Sequence, residues 1–368
     1  GFRVFEITLD SPEKAFRLFA TLNHRGLSLT TSDLIKNLIF MNSNESQHSS
    51  FHATWESIKN NLDDKNGFDR FLRHSFIAKY KYVTTQSLYT EVVAKADSSE
   101  KVKDYLDNLL TDSQKYSEVV STKRNDTTGF YLESLFKDLS NDSAQSVILN
   151  AYKFWNDKNP KDVDKIIKIC LDVFFRGKTI GGKAAGTVGK QFAKAATLIR
   201  TNANFDDVIK ELKIIDIPNS EFKSIIKNGT FKNRNPKHLL KTLERFYDSA
   251  PTTESKGTIS TVTLEHILPQ KIEYEKNGVT IKTDWLNKES KSYVSKEDHE
   301  NIVDRIGNLT LLHKLTNSEL QNLSFENKKK KYANETLDIT KELSDTDFWN
   351  ATKIYTSYNP NLDTSYAK

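Results

Sequence analysis

Glu265 and His266 stand side by side in Thr263-Leu-Glu-His-Ile-Leu-Pro-Gln270. Two asparagines follow: Asn308, within Arg305-Ile-Gly-Asn-Leu-Thr-Leu-Leu312, and Asn317, nine residues later. A carboxylate, an imidazole and two amides in this order suit the metal-assisted hydrolysis of a phosphodiester. That reaction needs an activated water, a cation to offset developing negative charge, and fixed geometry. An imidazole with its ordinary pKa of about 6.5 can take a proton from water at neutral pH. A carboxylate and an amide oxygen are hard ligands, suited to Mg²⁺ or Mn²⁺. Pro269 bounds the first strand and helps to turn the chain into the next loop.

Each residue also has a plainer role open to it. A lone histidine after a strand is more often a hydrogen-bonded core residue, and Asn308 beside Gly307 is a natural turn residue. The convergence of the set is what favours catalysis at His266. His299 and His313 are alternative ligands, but His299 lies in the charged stretch Lys296-Glu-Asp-His-Glu300 of a solvated helix, and His313 merely follows an apolar run. The run Lys328–Lys331 falls on a helix, where a solvated face is the default. Next to a phosphodiester-cleaving site, contact with a nucleic-acid backbone is as good a reading, with Arg305 and Lys314 as further contacts. Four consecutive helical residues cannot share one face, so Lys328 and Lys329 are the two assigned to that contact. Gly177-Lys-Thr-Ile-Gly-Gly-Lys183 has the spacing of a phosphate loop. Ala184 replaces the hydroxyl residue and the preceding segment is helical, so a helix–helix connection fits better.

The elements that must position these residues are mostly helical. Ser11-Pro12 opens a helix with apolar Ala15, Phe16, Leu18, Phe19 and Leu22, and Gly26 ends it. Thr30-Thr-Ser-Asp33 starts another with a capping-box pattern in which Asp replaces Glu. Apolar spacing of three and four predicts helices over 51–62, 67–80, 87–96, 102–116, 130–139, 146–155, 162–176, 190–200, 205–212, 219–227 and 236–248. The polar stretch 249–261 reads as a linker. Short strands then carry the reactive motif, and helices over 327–343 and 345–358 close the chain.

The 368 residues have room for two or three domains. Hydrophobic content is 37%, and mean hydropathy is −0.60. No window is apolar enough to span a membrane and no signal peptide is visible, so a cytoplasmic setting is expected. The first residue is Gly1 rather than Met, which implies a processed or truncated chain. A net charge of +5 permits nucleic-acid binding without demonstrating it. The single cysteine, Cys170, rules out an internal disulfide and a thiolate zinc cluster, and its apolar setting makes it a core thiol.

Residues 263–270, Gly307-Asn-Leu-Thr-Leu-Leu312, Asn317, Phe325-Glu-Asn-Lys-Lys-Lys-Lys331 and Trp349 resemble the C-terminal His-Asn-His, or ββα-metal, nuclease domain of GmrSD-type modification-dependent restriction endonucleases. Ala15–Gly26 and Leu29–Asn37 resemble the end of that family's ParB/sulfiredoxin-like nucleotide-hydrolysing domain, without its upstream motif. The resemblance implies that His266 is the general base and that Glu265 and Asn317 bind Mg²⁺ or Mn²⁺. It implies that Asn308 holds the loop and orients His266. The expected organisation is a domain remnant at 1–45, a helical domain at 46–250 and the nuclease domain at 251–368. The partner implied is foreign or modified DNA, with self-association or a nucleotide-hydrolysing domain as further partners. A DNA-modification sensor with an inactive nuclease fold and an RNA-directed nuclease are the rival readings.

Overall fold

The computed structural model describes residues 30–62, 67–120, 126–232, 234, 236–247 and 262–357. The motif at 15–26 and the linker at 249–261 lie outside them. Along the chain come helices α1 (Thr31–Met41), α2 (Glu45–Asn60), α3 (Phe68–Lys79), α4 (Leu88–Val93), α5 (Ser99–Val120) and α6 (Thr127–Glu133). They are followed by α7 (Gln145–Phe154), α8 (Pro160–Phe174), α9 (Ala185–Arg200), α10 (Phe205–Lys213), α11 (Asn219–Asn228) and α12 (Lys237–Tyr247). Strands β1 (Val262–His266), β2 (Glu273–Lys276) and β3 (Val279–Lys282) precede α13 (Lys296–Ile302) and β4 (Leu309–His313). The chain closes with α14 (Lys314–Leu320), α15 (Phe325–Tyr332), α16 (Asp338–Lys341) and α17 (Ala351–Thr356). The protein is mostly helical, and no helix among the described residues is long and apolar enough to cross a membrane.

Contacts divide the chain into two compact units. One comprises Gly1–Ser121, Asp142–Cys170 and Ala185–Ile214; the other comprises Thr122–Asn141, Leu171–Ala184 and Ile215–Lys368. The helical stretch 46–250 is therefore shared between them, and α11 and α12 belong with the strands. Packing rather than sequence order makes this division.

The first unit opens as the capping pattern requires: the Thr30 hydroxyl accepts the Asp33 N–H, and the Asp33 carboxylate accepts the Thr30 N–H. Its core gathers Ile35, Trp55, Phe68, Phe71, Leu106 and Tyr116. Asn150 of α7 donates to the Ala78 and Ala196 carbonyls, tying α3 and α9 together. Buried Asp112 accepts from Ser75 and Asn108 and pairs with Lys153 at 2.5 Å. His74 of α3 is fully buried, and neither ring nitrogen has a hydrogen-bond partner. Burial, then the nearby charges of Arg73 and Arg70, lowers its pKa to about 3.

The second unit is built on an antiparallel pair. β1 runs against β4 with Val262 opposite His313, Leu264 opposite Leu311 and His266 opposite Leu309. The period of two sends alternate residues to opposite faces. Val262, Leu264, Leu309 and Leu311 pack with Phe222, Ile226 and Leu240 from the helices ahead of the strands. Leu312 packs with Leu320, Phe325 and Tyr332 from the helices behind them. α14 begins directly where β4 ends and packs on both strands. Between β1 and β4 an exposed hairpin joins β2 to β3 through Asn277-Gly278, both at positive φ.

The glycine-rich segment is a helix–helix connection, not a phosphate loop: it is helical to Ile180, breaks over 181–184 and resumes at α9. α8 runs into a wider turn over Phe175–Ile180, and a Cβ on Gly177 would stand 1.9 Å from the Ile215 carbonyl oxygen. Close packing is what that glycine allows. Next to it Arg176 bonds Asp216, the Ile217 carbonyl and Asn219. The C-terminal helices are shorter than their apolar spacing predicts. Glu244 of α12 accepts the N–H groups of Asp338 and Ile339, so α16 starts there, apart from α15.

Below its ordinary pKa the unfolded chain protonates His74, whereas the folded chain does so only near pH 3. Stability from this group is thus complete above about pH 6.5 and falls by about 1.4 kcal/mol per pH unit below it, down towards 3. Urea midpoints at pH 7, 6 and 5 should show wild type losing stability relative to His74→Leu. Parallel pH profiles for the two would refute the linkage.

Candidate functional site

The two halves of the reactive motif meet because β1 and β4 pair and the loops at one end interlock. Asn308 is fully buried at the start of β4. Its Oδ1 accepts the Leu268 N–H at 2.7 Å and the Trp349 indole N–H at 3.2 Å. Its Nδ2 donates to the Leu268 and Val303 carbonyls at 2.9 and 2.8 Å. The Ile267 N–H also donates to the Asn308 carbonyl. Both lone pairs of the oxygen and both N–H groups of this amide are used, two of the four on Leu268 in the loop that leaves His266. Gly307 is needed beside it, since a Cβ there would lie 2.3 Å from the Ile354 carbonyl oxygen. His299 reaches the same loop from α13 and donates to the Pro269 carbonyl at 2.8 Å. It is therefore a loop clamp as well.

His266 ends β1 with its ring partly exposed, and Nε2 lies 3.1 Å from Asp304 Oδ1. A carboxylate can only accept, so this contact puts the proton on Nε2 and leaves Nδ1 with a lone pair. The Gln270 amide is 3.5 Å from Nε2, too long to compete. Sequence reasoning missed Asp304. It directly precedes Arg305, but its spacing from His266 carries no signal; only the fold of the 303–308 turn brings it near.

Glu265 points the other way along the alternation of β1 and is almost wholly buried. Lys328 Nζ approaches its Oε1 at 2.6 Å, and the Tyr332 hydroxyl donates to the same oxygen at 3.0 Å. Lys328 also donates to the His266 carbonyl at 2.8 Å. Burial lowers the Lys328 pKa, opposed by the Glu265 charge, and burial with that charge raises Tyr332 well above its ordinary value. Asn317 of α14 donates from Nδ2 to Thr263 Oγ1 at 3.0 Å and the Leu264 carbonyl at 2.8 Å. These bonds fix the amide and turn its Oδ1 away from the strand. Thr263 and Glu265 share one side of β1, so Asn317 and Glu265 are brought to the same flank.

The basic residues part company. Lys328 is corrected from a surface contact to a buried partner of Glu265: Phe325, Lys328 and Tyr332 recur at helical spacing and form the inward face of α15. Arg305 donates to the Lys227 and Asn228 carbonyls at the end of α11 and lies over the Tyr355 ring, so its first role is to cap that helix. Lys314 is exposed at the start of α14, and Lys329 is partly exposed, 3.9 Å from Asp347. His313 meets Glu335 at 2.7 Å, away from the Asn317 amide contacts.

Glu265 and Asn317 supply a carboxylate and an amide, hard donors of the kind a divalent cation takes, but Oε1 of Glu265 already carries Lys328 and Tyr332. The set is small: among the described residues no three His, Cys, Asp or Glu side chains group to hold a metal.

Residues 216–358 match the family described as GmrSD restriction endonucleases, C-terminal domain. This segment belongs to that family. The match starts within one residue of Ile215, where the last segment of the second unit begins, so the family's domain includes α11 and α12. No curated protein matches the chain. Within the second unit, the similarity to the C-terminal domain of restriction endonucleases is confined to residues 216–358.

Asn308→Ala removes four side-chain hydrogen bonds and strands two carbonyls and two N–H groups in the interior. A loss of roughly 2–4 kcal/mol in chemical denaturation is expected, from buried groups left unpaired. A loss below about 0.5 kcal/mol would mean that the loop is held by something else.

Proposed function

We propose that the second unit is a metal-dependent DNA endonuclease of a bacterial restriction system and that His266 is its general base. The observation that carries this reading is the Asp304–His266 pair at the exit of β1, within a domain of the GmrSD family. The antiparallel β1–β4 pair followed by α14 supports a ββα-metal arrangement.

Nδ1 of His266 takes a proton from water as the water oxygen bonds to phosphorus and the bond from phosphorus to the leaving oxygen breaks. Asp304 accepts a hydrogen bond from Nε2–H, keeps the ring in this tautomer and steadies the imidazolium that forms, as an orienting carboxylate does in other acid–His pairs. A divalent cation, Mg²⁺ or Mn²⁺, held by Glu265 and Asn317 would offset the charge that develops on the phosphate oxygens. Asn308 and His299 act through the loop: they fix the backbone that carries His266. Lys314 and Lys329 are the exposed cations available to the DNA backbone. Recognition of modified DNA, and any further nucleotide-hydrolysing domain, belong to this proposal through the family alone.

Supercoiled plasmid, incubated with the chain and Mg²⁺ or Mn²⁺, should be nicked or cut, and EDTA should stop the reaction. His266→Ala should lower the rate by about 10²- to 10⁴-fold, the usual worth of a general base. Asp304→Asn should fall between that variant and wild type. Equal cleavage by wild type and His266→Ala would overturn the assignment. Single-stranded RNA as a parallel substrate tests the choice of DNA.

A further inference from the structure

Glu265 already has a cation. Of the four lysines at 328–331, Lys328 alone turns inward, and its fully buried ammonium sits 2.6 Å from the carboxylate assigned above to a metal. The ammonium has little freedom to retreat. Phe325 and Tyr332 flank it on the same buried face of α15, and its second hydrogen bond fixes it to the His266 carbonyl. Tyr332 donates to the same carboxylate oxygen, so both of these bonds fall on Oε1.

The charge balance follows from these residues. Glu265 contributes −1, Lys328 +1 and the Asn317 amide nothing, so the flank is neutral before a metal arrives. A divalent ion would leave a net charge of +2 in a largely buried setting, where like charges repel far more strongly than in water. A bound phosphodiester, carrying −1, would bring that to +1.

We propose that Lys328 is a built-in competitor for the metal: it keeps divalent-ion affinity low in the free protein and makes metal and nucleic acid bind cooperatively. This rests on the reading of Glu265 as a metal ligand. The consequence is a nuclease centre that fills when a phosphate backbone is present and stays largely empty otherwise. Coupling of this kind is reciprocal, so the metal must tighten DNA binding by the same factor that DNA tightens metal binding.

The test is Mn²⁺ binding to the whole chain, followed by electron paramagnetic resonance of free Mn²⁺, with and without a short DNA duplex. A His266→Ala background prevents cleavage. Lys328→Met should bind Mn²⁺ at least about tenfold more tightly than the parent without DNA, and the gain from adding DNA should shrink. Mn²⁺ should also raise the melting temperature of Lys328→Met more than that of the parent. Should Lys328→Met fail to fold, Lys328→Gln keeps a hydrogen-bond donor without the charge and is read in the same way. Mn²⁺ affinity equal to or weaker than the parent's, with Glu265→Gln abolishing binding, would overturn the competition while leaving the metal site standing. Binding unaffected by Glu265→Gln would remove the metal site itself, and the competition with it.

Discussion

The second unit depends on one buried amide. Asn308 lies at the point where β4 begins, and its side chain answers backbone groups of the loop after β1, the turn before β4 and the indole of Trp349. Three segments far apart in the chain are thereby fixed to one residue. A side chain with two donors and an acceptor oxygen, placed among carbonyls and N–H groups that no strand or helix satisfies, is what makes that junction stable. His266 inherits its position from this junction, and so does the Asp304 carboxylate on the neighbouring turn.

Around that junction the strand separates two kinds of chemistry. Adjacent residues of β1 face opposite ways, so Glu265 and His266, neighbours in sequence, have different surroundings. His266 meets a carboxylate at a partly exposed edge; Glu265 meets an ammonium and a phenol in the interior. The first arrangement leaves the imidazole ring partly exposed. The second holds a charge in a place where it survives only by being paired.

Much of the fold was legible in the sequence because it follows local rules. The capping box at Thr30 and Asp33 and the apolar spacing of the helices are set by residues a few positions apart. The part of the matched segment from residue 263 onwards was likewise legible as a family because its motifs are compact, whereas α11 and α12 carry no such motif. The errors arose where distant groups decide. Glu244 starts α16 from a helix nearly a hundred residues earlier. Lys328 reads from the sequence as a contact for a nucleic-acid backbone, whereas the fold gives it a buried carboxylate. At Gly177 the helix–helix connection read from the sequence stands, and the absent Cβ serves the approach of the Ile215 carbonyl.

The sequence by itself determined which residue types could do chemistry: an imidazole, a carboxylate and two amides, with their order and the local elements that carry them. Tertiary structure decided how each is used. It gave His266 the Asp304 partner, turned Asn317 by its bonds to β1, spent Asn308 on backbone and assigned Lys328 to Glu265. The physical reason is that a side chain's tautomer, charge and free lone pairs depend on the groups within about 3 Å of it. In this domain those groups come from strands, turns and helices tens of residues away.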